Sequence, residues 1–181
     1  MRKRSFWWLI PVFLILVWWF CFGVVYTAGY SMYPTVNNKE VLLVSKVKKP
    51  SQGDIVTIYS DKLGKYLCKR VIGVSGDEIE IRDGIVYRNG KKLVESYNED
   101  TETNGTWKVG ANELFVLGDN RNNSTDSRNL GVLQESNLQG VVILKTGITK
   151  GVFNIILLIL ILSLLVLCQS PRKRGRKRNR S

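Results

Sequence analysis

The chain has 181 residues, 44% of them hydrophobic, a net charge of +12 and no histidine. That length fits one modest domain with appendages. The missing histidine excludes a Ser-His-Asp triad, so a serine nucleophile here would need another base, for which a lysine amine is the natural candidate. The charge does not argue for a nucleic-acid partner. Arg2, Lys3 and Arg4, with the seven basic residues between Arg172 and Arg180, hold ten of the twelve net positive charges and leave +2 for everything between.

Residues 1–5 read as a short basic tail. No charged residue follows until Lys39, and Phe6 to Val25 is a nearly unbroken apolar run, of about the 20 residues that a spanning helix needs. A transmembrane helix is expected over residues 6–25. The run is longer than the roughly 7 to 15 residues of a signal-peptide core, and Trp7 and Trp8 suit an interfacial anchor. It therefore reads as a retained anchor, despite the small residues Thr27, Ala28 and Gly29 that follow. A second charge-free interval, Gly151 to Pro171 with its apolar core from Val152 to Cys168, lies towards the lower end of the spanning range of roughly 17 to 25 residues. A second span is expected over 151–169, followed by a basic tail over 170–181. Basic residues flanking both spans put both termini in the cytoplasm, residues 26–150 outside, and anionic lipid headgroups against the tail. Cys21 and Cys168 fall in the spans, so no disulfide framework is expected, and Cys68 reads as an unpaired, half-buried strand residue.

The outer region reads as β-structure. Val41–Val47, Asp54–Tyr59, Tyr66–Val74, Glu113–Leu117 and Val141–Lys145 are short runs rich in β-branched and aromatic residues. Between them, Glu78-Ile79-Glu80-Ile81 alternates, and Asp83-Gly84 and Asn89-Gly90 supply tight turns around Ile85-Val86-Tyr87, which predicts consecutive hairpins. Tyr97 to Gly110 is polar and reads as a surface loop. No internal repeat is present.

Three places carry chemistry. Alternation along Tyr66–Ile72 puts Lys69 on the same face as Leu67 and Val71. Desolvation there would lower its pKa, as an amine that accepts a proton from serine requires. Ser31 lies about six residues beyond the first span, within roughly 20 Å of a bilayer even when fully extended. The polar run Gly118 to Arg128 holds Ser124, Asp126 and Arg128; it reads either as an Asn/Asp/Ser loop with an Asp126–Arg128 ion pair, or as a loop that orients the amine. A hydroxyl can orient a neutral lysine without the charge that a carboxylate would add.

Four blocks in order, Gly29-Tyr30-Ser31-Met32-Tyr33-Pro34-Thr35, Gly53-Asp54-Ile55-Val56, Lys69-Arg70-Val71-Ile72-Gly73 with Gly76-Asp77, and Gly118 to Arg128, resemble the bacterial type I signal peptidases. The resemblance implies Ser31 as nucleophile, Lys69 as general base, Ser124 as the hydroxyl orienting Lys69, and Asp126 and Arg128 as a structural pair. It implies a mainly β catalytic domain that cuts exported preproteins after small residues at −1 and −3. The signal peptide would be laid in as an extra strand. Neither metal nor cofactor is implied, and the expected setting is the bacterial cell membrane. Asn122 and Ser75 depart from the usual pattern, as does Gly29, where some members carry a serine that helps bind the oxyanion. The oxyanion would then rest on backbone N–H groups, notably that of Ser31. Many members lack a second span. Three alternatives differ in what they require: a soluble repressor-type autopeptidase needs a DNA-binding domain where this chain has an apolar run; a non-catalytic assembly factor would lack the serine or lysine; and a narrow-client homologue for pilus or surface-protein assembly would keep both.

Overall fold

A computed structural model describes residues 9–95 and 103–169. The N-terminal tail, Trp7-Trp8, the start of the polar stretch after Glu95 and the C-terminal basic tail lie outside the described residues.

The chain is mainly β. Helix α1 (Leu9–Cys21) runs straight into strand β1 (Phe22–Tyr26), followed by β2 (Glu40–Ser45), β3 (Ile55–Ser60) and β4 (Lys65–Gly73). Then come β5 (Glu78–Arg82), β6 (Ile85–Arg88), β7 (Lys91–Lys92), β8 (Gly105–Lys108) and β9 (Glu113–Leu117). A short helix α2 (Ser127–Leu130), β10 (Leu133–Gln134), the long β11 (Leu138–Thr149) and helix α3 (Lys150–Gln169) complete the order. A seven-stranded sheet runs β1-β2-β11-β3-β4-β9-β10, and a four-stranded one β7-β6-β5-β8. All pairings are antiparallel.

Strand alternation builds the core on both faces of the large sheet. Along β9, Leu114 and Val116 join Val56, Ile58, Leu67, Val71 and Val141 on one side. Phe115 and Leu117 turn the other way to meet Ile72, Ile79, Ile81 and Val86, which couples the large sheet to the small one. A third cluster, Met32, Val36, Leu42 and Ile55, packs with Cys68 and sets the floor beneath the segment that carries Ser31.

The two predicted turns take the backbone that their sequences favour. Asp83 and Gly84 have φ of 50° and 73°, Asn89 and Gly90 of 51° and 74°, and two consecutive positive φ values are what a two-residue hairpin turn with strand-matching twist requires. Three expectations need correction. The apolar run over residues 6–25 does not form one helix: its last part is β1, whose Gly23 to Tyr26 pair with Val44 to Val41 of β2. A β-branched pair beside a glycine can satisfy its backbone in a sheet as readily as in a helix, and the neighbouring strand decides. Among the described residues no helix is long and apolar enough to cross a membrane, so the expected spans over 6–25 and 151–169 are not supported here as membrane-crossing helices. The expected loop over 97–110 contains β8, which pairs with β5 and sets Trp107 against Phe115 with ring centroids 5.1 Å apart.

Close strand packing leaves no room for a side chain at Gly140, where a Cβ would sit 2.8 Å from the Ser45 carbonyl oxygen and 3.1 Å from Val44 Cβ. Gly140→Ala is expected to cost about 1–3 kcal/mol by overpacking, read as a lowered thermal midpoint. An unchanged midpoint would contradict this packing.

Candidate active site

Strand β4 delivers Lys69 to the site. Its burial alternates as the sequence implies: Leu67, Lys69 and Val71 are buried while Cys68 and Arg70 are partly exposed. Lys69 is only 2% exposed. Its Nζ lies 2.6 Å from Ser31 Oγ, a hydrogen bond across 38 residues of sequence. Burial in this apolar face holds the amine below the ordinary lysine range. Asp126 opposes that shift by favouring the ammonium, while Lys65 and Arg128 reinforce it. Desolvation of the charged form is the larger effect.

The Ser31 segment is fixed from two sides. Met32 and Val36 are buried in the third core cluster, and the Val36 N–H donates to the Met32 carbonyl at 2.9 Å. On the other side, the Ser31 carbonyl accepts from the Asn120 N–H at 3.0 Å, and Asn120 Nδ2 donates to the Tyr30 carbonyl at 3.2 Å. This approach depends on Gly118. A Cβ there would collide with Ser124 Oγ and would lie 2.5 Å from the Ser31 carbonyl oxygen.

The polar run after β9 is built around Asp126, which is fully buried. Its carboxylate accepts from the Gly118 N–H at 2.9 Å, from Ser124 Oγ at 2.7 Å, and from Arg128 Nε and Nη2 at 2.8 and 3.0 Å. Arg128 also donates to the Arg121 carbonyl at 2.7 Å. The loop is thus a satisfied ionic and hydrogen-bonded cluster, and its charges are engaged with each other. Ser124 lines the same cleft as Ser31 and Lys69, with its hydroxyl committed to Asp126.

Two features of the surroundings were not singled out from the sequence. Arg70, adjacent to Lys69 but on the opposite face of β4, pairs with buried Asp119 at 2.6 and 2.8 Å and donates to the Gly53 carbonyl at 2.8 Å. Arg121 is also buried, donating to the Gly118 carbonyl at 2.9 Å and pairing with Glu95 at 2.8 Å. The density of Asp and Arg in the Gly118 to Arg128 run was the available signal, but which of them turned inwards depended on β4 and on Glu95, far away in sequence. Cys68 is a free thiol, partly exposed, and burial pushes its pKa up to about 12. Such a thiol is a poor nucleophile at neutral pH.

Ser31, Lys69 and Ser124 open onto a cleft of about 510 Å³, flanked by Tyr26 to Met32 on one side and Lys65 to Lys69 on the other. Strand β9 pairs with β4 only from Arg70 onwards. The edge of Lys65–Lys69 opposite β3 therefore carries no strand among the described residues. Chemically, a hydroxyl within reach of a desolvated amine, beside an open strand edge, is equipped to attack an extended peptide. Among the described residues there is no cluster of His, Cys, Asp and Glu that could hold a metal ion.

The family model described as signal peptidase, peptidase S26, matches residues 2–146. Signal peptidase I S of Bacillus subtilis (strain 168) is 37% identical over 147 residues, which cover 71% of this chain and 79% of that protein. Signal peptidase I of Bacillus amyloliquefaciens is 35% identical over 163 residues, 77% of this chain and 84% of that protein. A crystal structure of a signal peptidase I from Enterococcus faecalis V583 aligns with 53% of this chain and 98% of its own, at 34% identity and a TM-score of 0.49. The chain belongs to the signal peptidase family, peptidase S26, and is a serine peptidase.

Burial of Lys69 has a measurable consequence for folding. With its folded-state pKa depressed, the unfolded chain binds the more protons between the two pKa values, so this group's contribution to stability rises with pH there and is unfavourable below the folded pKa. Lys69→Met is expected to raise the thermal midpoint at pH 6, with the gain shrinking as the pH approaches 10. A midpoint lowered at pH 6 would contradict a desolvated amine.

Proposed function

We propose that this peptidase removes signal peptides from exported preproteins, with Ser31 as nucleophile and Lys69 as its general base. The observation that carries the reading is the 2.6 Å approach of Lys69 Nζ to Ser31 Oγ in a chain with no histidine, with the amine buried and its pKa lowered. A neutral Lys69 accepts the Ser31 proton as Oγ attacks the scissile carbonyl. The resulting ammonium returns that proton to the departing amine, leaving an ester on Ser31. Lys69, neutral again, takes a proton from the water that hydrolyses the ester and passes it to Ser31 Oγ as the acid product leaves, which restores both the hydroxyl and the neutral amine. The Ser31 N–H, which has no acceptor among the described residues, is the candidate donor to the oxyanion.

Ser124, Asp126 and Arg128 support the pair in this scheme. Arg128 engages the Asp126 carboxylate at 2.8 Å, which limits the pull of that carboxylate on Lys69. Ser124, tied to Asp126, lies in the cleft where its hydroxyl can turn to the amine as the reaction proceeds. The substrate enters as an extended strand along the open edge of Lys65–Lys69. Small residues at −1 and −3 would suit a cleft whose wall includes Ala28, Gly29 and Met32. No metal or cofactor takes part.

We further propose that the catalytic β domain, residues 26–150 together with the rest of β1, lies outside the bacterial cell membrane, and that the remainder of the apolar run over 6–25 and the apolar segment over 151–169 anchor it. The charge-free runs and the basic residues at both ends of the chain support this arrangement, with both termini in the cytoplasm. Its partners are then signal peptides and membrane lipid, and the basic tail needs no nucleic acid.

Purified full-length chain in detergent, given a secretory precursor with an Ala-x-Ala site, should cleave it at a rate that rises with pH through an ionisation below the ordinary lysine value. Ser31→Ala and Lys69→Ala should each reduce the rate to background while remaining folded. Activity retained by either folded variant would sink the dyad, and folded wild type that fails to cleave would sink the substrate assignment.

A further inference from the structure

The end of β11, which leads directly into α3, is fastened to the segment carrying Ser31, and the fastening centres on one buried carboxylate. Glu40, 4% exposed, opens β2. Its Oε1 accepts from the Gly147 N–H at 3.1 Å, and its Oε2 accepts from the Asn37 N–H at 2.8 Å. The approach to α3 and the loop just beyond Ser31 therefore share one side chain. Neighbouring contacts run the same way. The N–H of Lys150, the first residue of α3, donates to the Lys39 carbonyl at 2.9 Å, and Lys145 Nζ donates to the Thr35 carbonyl at 2.9 Å. Lys39 holds a φ of 63°, a left-handed backbone that a residue with a Cβ adopts only where its surroundings impose it.

From Glu40 the contacts return to the residues just before Ser31. The Thr27 N–H donates to the Glu40 carbonyl at 3.0 Å, the Lys39 N–H to the Thr27 carbonyl at 3.1 Å, and the Gly29 N–H to Asn38 Oδ1 at 3.0 Å. Phe153 of α3 meets Tyr26 edge to face, with centroids 6.3 Å apart, and Lys150 Nζ lies 4.9 Å from the Tyr26 ring centroid. Tyr26, Thr27, Gly29 and Asn37 all line the cleft with Ser31. Holding a chain in a bilayer requires none of these contacts.

We propose that α3 positions the Ser31 segment for reaction, with Glu40 as the positioning residue through which it acts. The proposal rests on the reading of Ser31 and Lys69 as the reacting pair. Glu40 touches neither of them. Its carboxylate ties the Asn37 end of the arc from Thr27 to Asn37 to Gly147, and its backbone binds the Thr27 end, so that the hydroxyl stays within reach of the amine.

Full-length wild type, Glu40→Ala, Glu40→Gln and Phe153→Ala in detergent would be compared by steady-state cleavage of the same precursor, with rates expressed per folded molecule. For Glu40→Ala, kcat should fall roughly tenfold to a hundredfold, as small displacements of reacting groups cost. KM should change by less than kcat, because the edge of β4, along which the substrate backbone pairs, is untouched. Glu40→Gln keeps one side-chain acceptor and should recover part of the loss, and Phe153→Ala should lower kcat in the same direction by less. Wild-type kcat per folded molecule in Glu40→Ala and Phe153→Ala would overturn the proposal, as would a loss that merely tracks the folded fraction. If Glu40→Ala does not fold, Phe153→Ala decides by the same criterion. Folded wild type without activity would remove the reacting pair itself, and the positioning role with it.

Discussion

An amine buried on the apolar face of a strand, within hydrogen-bond distance of a serine hydroxyl, is the constraint to which the rest of this molecule answers. A lysine so placed is costly as an ammonium and useful as a base, for one and the same reason: the charged form is poorly solvated. Leu67 and Val71, on either side of Lys69 along β4, provide the apolar environment. Burial alone would leave the amine without a task. The Ser31 segment therefore has to be carried to it from a loop 38 residues earlier, and held there.

Much of the surrounding structure is accounted for by that requirement. Met32 and Val36 pin the Ser31 segment from below, Asn120 ties its carbonyl from the side, and Gly118 gives the room for both approaches. Electrostatics are arranged with the same economy. The carboxylate nearest in effect to Lys69 belongs to Asp126, which would favour the ammonium, yet it is engaged by Arg128, by Ser124 and by a backbone N–H. The carboxylate of Asp119 is likewise bound to Arg70, on the other face of the strand. Buried charges of both signs lie close to the site, and desolvation still outweighs the pull of Asp126 on the amine.

Local periodicity made a good part of this legible in the sequence. Strand alternation put Lys69 between Leu67 and Val71 because side-chain direction in a strand has a period of two, whatever the tertiary context. The Asp83-Gly84 and Asn89-Gly90 turns were legible because only certain residues tolerate positive φ. The missing histidine narrowed the choice of base before any contact was known. What escaped was decided by partners distant in sequence. Phe22 to Tyr26 became a strand because β2 was available to pair with it, and Trp107 drew a polar stretch into the small sheet because Phe115 offered a surface. Neither partner can be read from a local window. The inward turn of Arg121 depends on Glu95, and the role of Glu40 as a clamp depends on Gly147. A carboxylate among Asn37, Asn38 and Lys39 gives no local sign that it will be buried.

The state of the Lys69 amine is the point on which the account turns, and it can be observed directly. Lysine side chains labelled with nitrogen-15 would be titrated by NMR in the full-length chain, with Lys69→Met used to assign the signal. Lys69 is expected to lose its proton below the ordinary lysine pKa of 10.5. A Lys69 that titrates at or above that value would contradict it, since an amine still charged under working conditions could not take the proton from Ser31.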